Sequence, residues 1–464
     1  MNIIKNERYR QNYHIIPPQG WMNDPNGLCF FKGYYHVFFQ YHPYSAEWGP
    51  MHWGHVRSLD LVQWEECPIA LTPGDPEDKD GCFSGSAVVK GNKMYLIYTG
   101  HHYVEGTNQQ KFWQNQNIAV SEDGIHFQKY DGNPVIAKSP DDNSDDFRDP
   151  KVWYENEAWY MVLGSQANNK QGRVLLYRSE NLFNWKYMGV LAVADPELNE
   201  GYMWECPDYF ELNGKKILLL SPQGIAAEHG MFKNNHQTGY FILDSNGEKS
   251  NKSVFHELDS GHDFYATQTF MTEDGRRVMF AWMDMWETEM PEQSDGWAGT
   301  MTIPRELKMH EDKLYTYPIA ELKNLRSELL FSQNKIIKEL SIDSSSHSLE
   351  INAVFEWSKI KTNIYFNMND RNKNRIISIE FNPLKEKAYL WRKGKDEERE
   401  APFSLKQQLE LKIYIDSSSI EIFINNGESS FSERFYAEGE LNFVFKSEIL
   451  IKQQVNVYCL NANR

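Results

Sequence analysis

Asp24-Pro-Asn-Gly leads into Leu28-Cys-Phe-Phe31, then a turn at Lys32 and Gly33, then Tyr34-Tyr-His-Val-Phe-Phe-Gln40, and this stretch reads as a β-hairpin. A polar residue opens the first strand, a glycine-containing turn reverses the chain, and an apolar run returns. The same grammar recurs four times. Ser84-Gly-Ser leads through Lys90-Gly91-Asn92, Asp149-Pro through Glu155 and Asn156, Glu205-Cys-Pro through Asn213-Gly214, and Ala266-Thr-Gln through Asp274-Gly275. The openings are spaced by about 60, 65, 56 and 61 residues, a period long enough for roughly four strands per unit.

A second marker keeps the same period. Ser58 to Trp64, Ser121 to Phe127 and Ser179 to Trp185 share a Ser, an Asp or Asn two positions on, and an aromatic four positions later. An Asx-closed turn followed by an aromatic plug suits the outer hairpin of a blade. The expected fold class is therefore all-β, with residues 1–318 forming a five-bladed β-propeller, because radial repetition leaves only short strand edges. Two ordinary sandwiches do not account for the period. Tyr317 to Arg326 has helical spacing where the pattern stops, which predicts a short helical linker over 319–329. Alternating runs such as SLEINAVFEW, RIISIEFN and LELKIYID then predict a β-sandwich over 330–464. The charged stretch Lys395 to Glu400 reads as a solvated loop.

In a propeller the innermost strands line one axis, so residues opening several of them converge on one funnel. Asp24, Asp149 and Glu205 open three of the five hairpins. Like charges crowded together cost free energy, and a shared catalytic task explains that cost better than three separate strand-opening turns. Their neighbours predict distinct roles. Asn23 and the Pro25-Asn26-Gly27 turn offer donors that keep Asp24 ionised, as a nucleophile requires. Met203, Trp204, Cys206 and Pro207 give Glu205 an apolar setting that raises its pKa, as a general acid requires. Arg148 precedes Asp149 and is expected to hold it anionic, beside a developing oxocarbenium ion.

Composition sets the outer bounds. With 48 Lys+Arg against 65 Asp+Glu, net −17, nucleic acid is not an expected partner. No apolar run approaches the roughly 20 residues of a membrane span, so no membrane partner is expected. The N-terminus shows no signal-type apolar stretch, and the five cysteines (Cys29, Cys67, Cys82, Cys206, Cys459) include no C-x-x-C pair. Neither a disulfide framework nor a zinc site is expected, and a reducing cytoplasm fits. The His101-His102 pair is too slight a signal for a metal, Cys206 lacks the partners of a thiol nucleophile, and His52 and His55 read as strand framework.

Several ordered strings resemble glycoside hydrolase family 32. They are Trp21 to Gly27 (WMNDPNG), Gln40-Tyr-His-Pro, Trp48 to His55, Phe83 to Ser86, Phe147 to Pro150, Trp204 to Asp208 (WECPD) and Gly296 to Gly299, with Ile415 to Ile424 in the C-terminal part. The resemblance implies a retaining β-fructofuranosidase of the sucrose-6-phosphate hydrolase and invertase group, acting on a small β-fructoside without a cofactor or metal. Asp24 would attack the anomeric carbon, Glu205 would serve as acid and then base, and Asp149 would bind fructose hydroxyls. Trp21, Asn23, Gln40, Trp48, Phe83, Ser84, Arg148 and Trp282 would shape the sugar pocket. A retaining mechanism sets the two working carboxyls roughly 5 to 5.5 Å apart. The residues leave open whether the leaving glucose carries a 6-phosphate, whether short fructo-oligosaccharides are preferred, whether sugar replaces water as acceptor, and whether the chain is a monomer or homodimer. Lys111, His101 and His229 are the cations placed in loops near the entrance. An inverting arabinan or xylan glycosidase and a non-catalytic sugar-binding propeller are the rival readings.

Overall fold

The five repeated hairpins are the inner strand pairs of five separate sheets in the computed structural model, which describes residues 3–243, 252–357 and 361–461. The first sheet holds Gly20–Phe31, Tyr34–His42, His52–Ser58 and Glu65–Glu66. The second holds Gly81–Lys90, Lys93–Tyr103, Phe112–Ser121 and Gln128–Lys129. Asn143–Glu155, Ala158–Ala167, Gly172–Ser179 and Trp185–Val193 form the third. Met203–Leu212, Lys215–Gln223, Gly239–Leu243 and His256–Glu257 form the fourth, and Tyr265–Met271, Arg277–Trp282, Arg305–His310 and Lys313–Pro318 the fifth. Each innermost strand packs on the next, and the fifth returns to the first, which closes the ring. A short strand, Trp297–Ala298, pairs in parallel with the opening strand through Gly20 and Trp297 and seals the junction.

The Ser-Asx marker sits where the third strand of a blade turns into the fourth. Ser58 Oγ donates to Asp60 Oδ1 at 3.0 Å, and the same carboxylate oxygen accepts from the backbone of Val62 and Gln63. Asp123 repeats this with Ile125 and His126, and Asn181 with Phe183 and Asn184. The side chain thereby satisfies backbone donors that the end of the strand would leave unpaired.

In place of a helix over 319–329, the chain makes one 3-10 turn, Ala320–Leu325, and Arg326 already opens a strand running to Ser344. Leu322 and Leu325 are buried, so the apolar spacing marks a single anchored turn rather than a longer helix. The C-terminal strands form one highly curved sheet, a nearly closed β-barrel or sandwich. The final strand, Leu441–Leu460, runs beside Arg326–Ser344 and pairs with Ile364–Asn369 through its first part and with Leu349–Glu356 through its last. One strand therefore belongs to two layers, whose inner faces bury Ile351, Phe366, Ile379, Ile413, Ile422 and Phe445.

Burial of charge, as well as apolar contact, holds this unit to the propeller. Arg305 donates to Asp259 at 2.9 Å and to Glu421 at 2.5 Å, and His14 bridges Asp416 (2.9 Å) and Glu421 (3.1 Å). Arg434 reaches Asp284 (2.6 Å) and Glu292 (2.8 Å), while Arg392 meets Asp263 and Glu433. Within Lys395 to Glu400, Asp396, Glu397 and Glu398 form an exposed loop, as expected, and the stretch also touches the same seam. Lys233 Nζ donates to Glu398 O at 2.6 Å, His262 Nε2 stands 3.2 Å from Glu397 O, and Arg399 is buried. Because removing one member of a buried pair strands the other, Glu421→Gln is expected to destabilise the protein by about 3 to 5 kcal/mol. Urea unfolding checks this, and a loss under about 1 kcal/mol would mean that the pair is solvated.

Candidate active site

Every innermost strand loses regular pairing near its start, and those of the first and third blades do so twice. The register shifts between Met22 and Pro25, Phe83 and Gly85, Glu205 and Asp208, and Tyr265 and Gln268, and in the third blade opposite Val162 and Gly164, where Arg148 and Lys151 flank the break. Such bulges re-aim side chains out of the sheet. Asp149, Cys206 and Ala266 take left-handed backbone angles there (φ 63°, 48° and 55°). Glu205 is thus not the strict equivalent of Asp149, because Cys206 fills that bulge position and Glu205 precedes it, as Arg148 precedes Asp149. The three carboxyls nevertheless line one cavity of about 430 Å³.

Cys206 shows how close they are. Its backbone N–H donates to Asp149 Oδ2 at 2.9 Å, and its sulfur stands 3.7 Å from both Asp24 Oδ2 and Asp149 Oδ2. Burial and the three surrounding carboxyls push the thiol well above its usual range, so it is a small neutral spacer. Asp24 accepts from Ser84 Oγ at 2.6 Å and from Asn23 Nδ2 at 3.0 Å, and Asn23 is fixed in turn by Trp21 Nε1 at 2.7 Å. Those donors favour the anion, but burial outweighs them, and the carboxyl lies above its usual value.

The guanidinium of Arg148 serves Glu205 rather than Asp149. Its Nε and Nη2 donate to Glu205 Oε1 at 3.0 and 2.9 Å, and its Nη1 donates to Asp146 at 2.6 Å. Gln223 Nε2 donates to Glu205 Oε2 at 2.7 Å, and the Tyr265 hydroxyl donates to the same oxygen. Burial opposes ionisation of Glu205, but Arg148, Tyr265 and Gln223 outweigh it and hold the group below its usual value. The apolar neighbours in sequence do not set its environment, since Trp204 points into the packing between blades. Asp149 is the carboxyl pushed up, to about 7, by burial against the pull of Arg148, with Glu205 and Asp24 adding repulsion. The surroundings therefore shift the two carboxyls in the directions opposite to those that the sequence suggested.

Of the other pocket residues read from sequence, Asn23, Gln40, Trp48, Phe83, Ser84 and Arg148 line the cavity. Trp48 is 41% exposed and stands at the rim, edge-on to Phe83. Trp21 and Trp282 do not reach it. Trp282 is fully buried behind Trp21 and Trp286, and Trp286, stacked on Trp21 at 5.9 Å, supplies the wall instead. Asp146, Gln223 and Tyr265 are functional candidates that sequence reasoning missed. Asp146 lies two residues before Arg148 and Tyr265 immediately before the fifth bulge, so the repeat itself carried a signal for both. His101 and His102 belong to the strand Lys93–Tyr103, not to a loop, and His101 lies flat on Phe83 at 4.2 Å. The residues called Lys111 and His229 above are exposed and lie outside the cavity lining.

Comparison with known proteins agrees with this architecture over nearly the whole chain. The model for the glycosyl hydrolases family 32 N-terminal domain matches residues 14–318, and that for the family 32 C-terminal domain matches 321–456. The chain is 42% identical to a sucrose-6-phosphate hydrolase of Escherichia coli, with 92% of this chain and 90% of that protein covered. It is 39% identical to a raffinose invertase of the same species, with 92% and 90% covered. A Bombyx mori family 32 β-fructofuranosidase, solved as a mutant in complex with sucrose, superposes with a TM-score of 0.89 at 39% identity, covering 99% of this chain and 95% of that one. On the sequence motifs, the five-bladed ring and these matches, the chain belongs to glycoside hydrolase family 32.

Proposed function

We propose that the cavity cleaves the β-fructofuranosyl bond of sucrose or a sucrose phosphate with retention of configuration. The observation that carries the reading is one buried pocket holding Asp24, Asp149 and Glu205 with only Arg148 between them in charge. Asp24, pinned by Ser84 and Asn23, attacks the anomeric carbon of fructose and forms an ester. Glu205 donates a proton to the departing glucosyl oxygen, then takes one from the water that hydrolyses the ester. Asp149 binds fructose hydroxyls and stabilises positive charge on the ring.

The proton arrangement adds one requirement. Burial raises the Asp149 carboxyl, and Arg148, Tyr265 and Gln223 hold Glu205 below its usual value, whereas the first step needs a proton on Glu205 and an anion at Asp149. A sugar whose hydroxyls donate to Asp149 favours the anion there, and Glu205 takes up a proton in the same cavity. Substrate binding thereby arms the acid, and Tyr265, which donates to Glu205, is a positioning residue that sets how readily this happens.

Asp24→Ala and Glu205→Ala are each expected to lower kcat on sucrose by roughly 10³-fold or more while leaving the unfolding midpoint within the range of neutral mutants. Near-normal turnover in either variant contradicts the assignment, and proton NMR of the first-formed fructose should show the β anomer at C2. Tyr265→Phe removes a donor that favours ionised Glu205, so its folded-site pKa rises and the alkaline limb of kcat/KM moves to higher pH. A purely structural role for Tyr265 would lower kcat without moving that limb.

A further inference from the structure

The leaving sugar of the proposed reaction comes in two chemistries, a neutral glucose and a glucose bearing a phosphate, which differ by about 1.5 to 2 negative charges near pH 7. Built phosphate sites answer that charge with free Arg or Lys groups or with converging backbone N–H groups. Four carboxyls already face this cavity, Asp24, Asp146, Asp149 and Glu205. Arg148, its one guanidinium among the described lining residues, spends its donors on two of them, Asp146 and Glu205.

Two histidines also line the cavity. His101 is pushed down to about 3 by burial and by Arg148, lies flat on Phe83, and has Nδ1 3.2 Å from the Gln114 amide nitrogen. His236 has Nδ1 3.3 Å from Glu287. The outer wall is neutral, made by Trp48, Tyr103, Gln109, Phe112 and Trp286. No lysine stands among the described residues that line the cavity. Of the two loop cations, Lys111 is exposed on the chain between the lining residues Gln109 and Phe112 without itself lining the cavity, and His229 is exposed with Nε2 3.1 Å from Glu228. Lys395, on the seam with the C-terminal unit, directs Nζ to Thr288 Oγ1 at 3.2 Å. Around the pocket the chain as a whole carries net −17, a field that opposes the approach of a dianion.

We infer that the pocket selects a neutral leaving sugar and discriminates against a phosphate on the leaving glucose. The inference rests on the β-fructofuranosidase reading and narrows it to unphosphorylated sucrose and its neutral homologues. The cause is electrostatic. A phosphate held at the neutral outer wall of a half-enclosed cavity that already carries four carboxyls gives up hydration without gaining a cation, and this cost is largest where the solvent is excluded.

Steady-state kinetics of the full chain on sucrose and on sucrose 6-phosphate, in one buffer at two ionic strengths, test it. The expected result is kcat/KM at least roughly tenfold higher for sucrose, the size of one like-charge contact at moderate range in a partly solvated cavity, with the gap narrowing as salt rises. Gln109→Lys, which adds a cation to the outer wall, should move the ratio several-fold toward the phosphorylated sugar. Lys111→Ala should leave the ratio where it is. Equal or faster turnover of sucrose 6-phosphate, a ratio unmoved by Gln109→Lys, or a sucrose 6-phosphate activity that collapses in Lys111→Ala each overturns the inference while leaving the β-fructofuranosidase reading in place. Inertness toward both sugars overturns that reading, and this inference with it.

Discussion

Placing three carboxyls in one half-enclosed cavity beside a single guanidinium is the constraint on which the rest of this molecule depends. Left alone, the charges would repel strongly at the low effective dielectric of a protein interior. The fold tolerates them because each is delivered by a different blade and locked by its own donors, Asp24 by Ser84 and Asn23, Asp149 by the Cys206 backbone, and Glu205 by Arg148, Gln223 and Tyr265. The bulges that interrupt the innermost strands are what turn these side chains toward the axis. A regular ladder would alternate them between the faces of each blade.

This arrangement lowers stability in order to hold reactivity. Asp149 has a folded-state pKa of about 7 against an ordinary value of 3.8. A raised folded value contributes stability that is fully present below the unfolded pKa and lost as pH rises toward neutrality, so ionising Asp149 is a cost, while the lowered value of Glu205 works in the opposite direction. The compensation lies elsewhere, in the ring closure at Gly20 and Trp297, in the apolar core shared by the blades, and in the seam with the C-terminal unit. Tyr414, Phe423 and Leu460 of that unit join the same buried cluster as Val37, Phe39 and Phe280 of the propeller. Beside it run the ion pairs of Arg305, Arg434 and Arg392, each held by two acids. The C-terminal unit therefore acts as a brace for blades whose inner ends are occupied by repelling charge.

The repeat was legible because turn chemistry and strand alternation are local properties, and Asn213-Gly214 or Asp274-Gly275 announce a hairpin whatever surrounds them. The Ser-Asx turns were legible for the same reason. What escaped sequence reading is long-range. The partner of Arg148 is decided by which blade faces it, so adjacency to Asp149 in the chain was misleading and Glu205 received the guanidinium. Trp204 points away into the packing between blades, Cys206 sits between Asp24 and Asp149, and the groups that hold Glu205 are polar ones, most of them from other strands. Trp282 and Trp286 are four residues apart, and only the packing behind Trp21 shows that the second forms the wall. The helical spacing after Tyr317 was genuine, but two buried leucines need no more than one turn to anchor them.

The central claim is that the Asp24 carboxylate becomes covalently bonded to fructose while Glu205 and Asp149 manage protons around it. The most direct measurement is mass spectrometry of enzyme mixed with sucrose and quenched in acid within the steady state. The account predicts a peptide containing Asp24 heavier by one hexosyl residue, with the adduct absent from Asp24→Ala. An adduct on Asp149 or Glu205 instead, or rapid turnover with inverted product and no adduct anywhere, would contradict it.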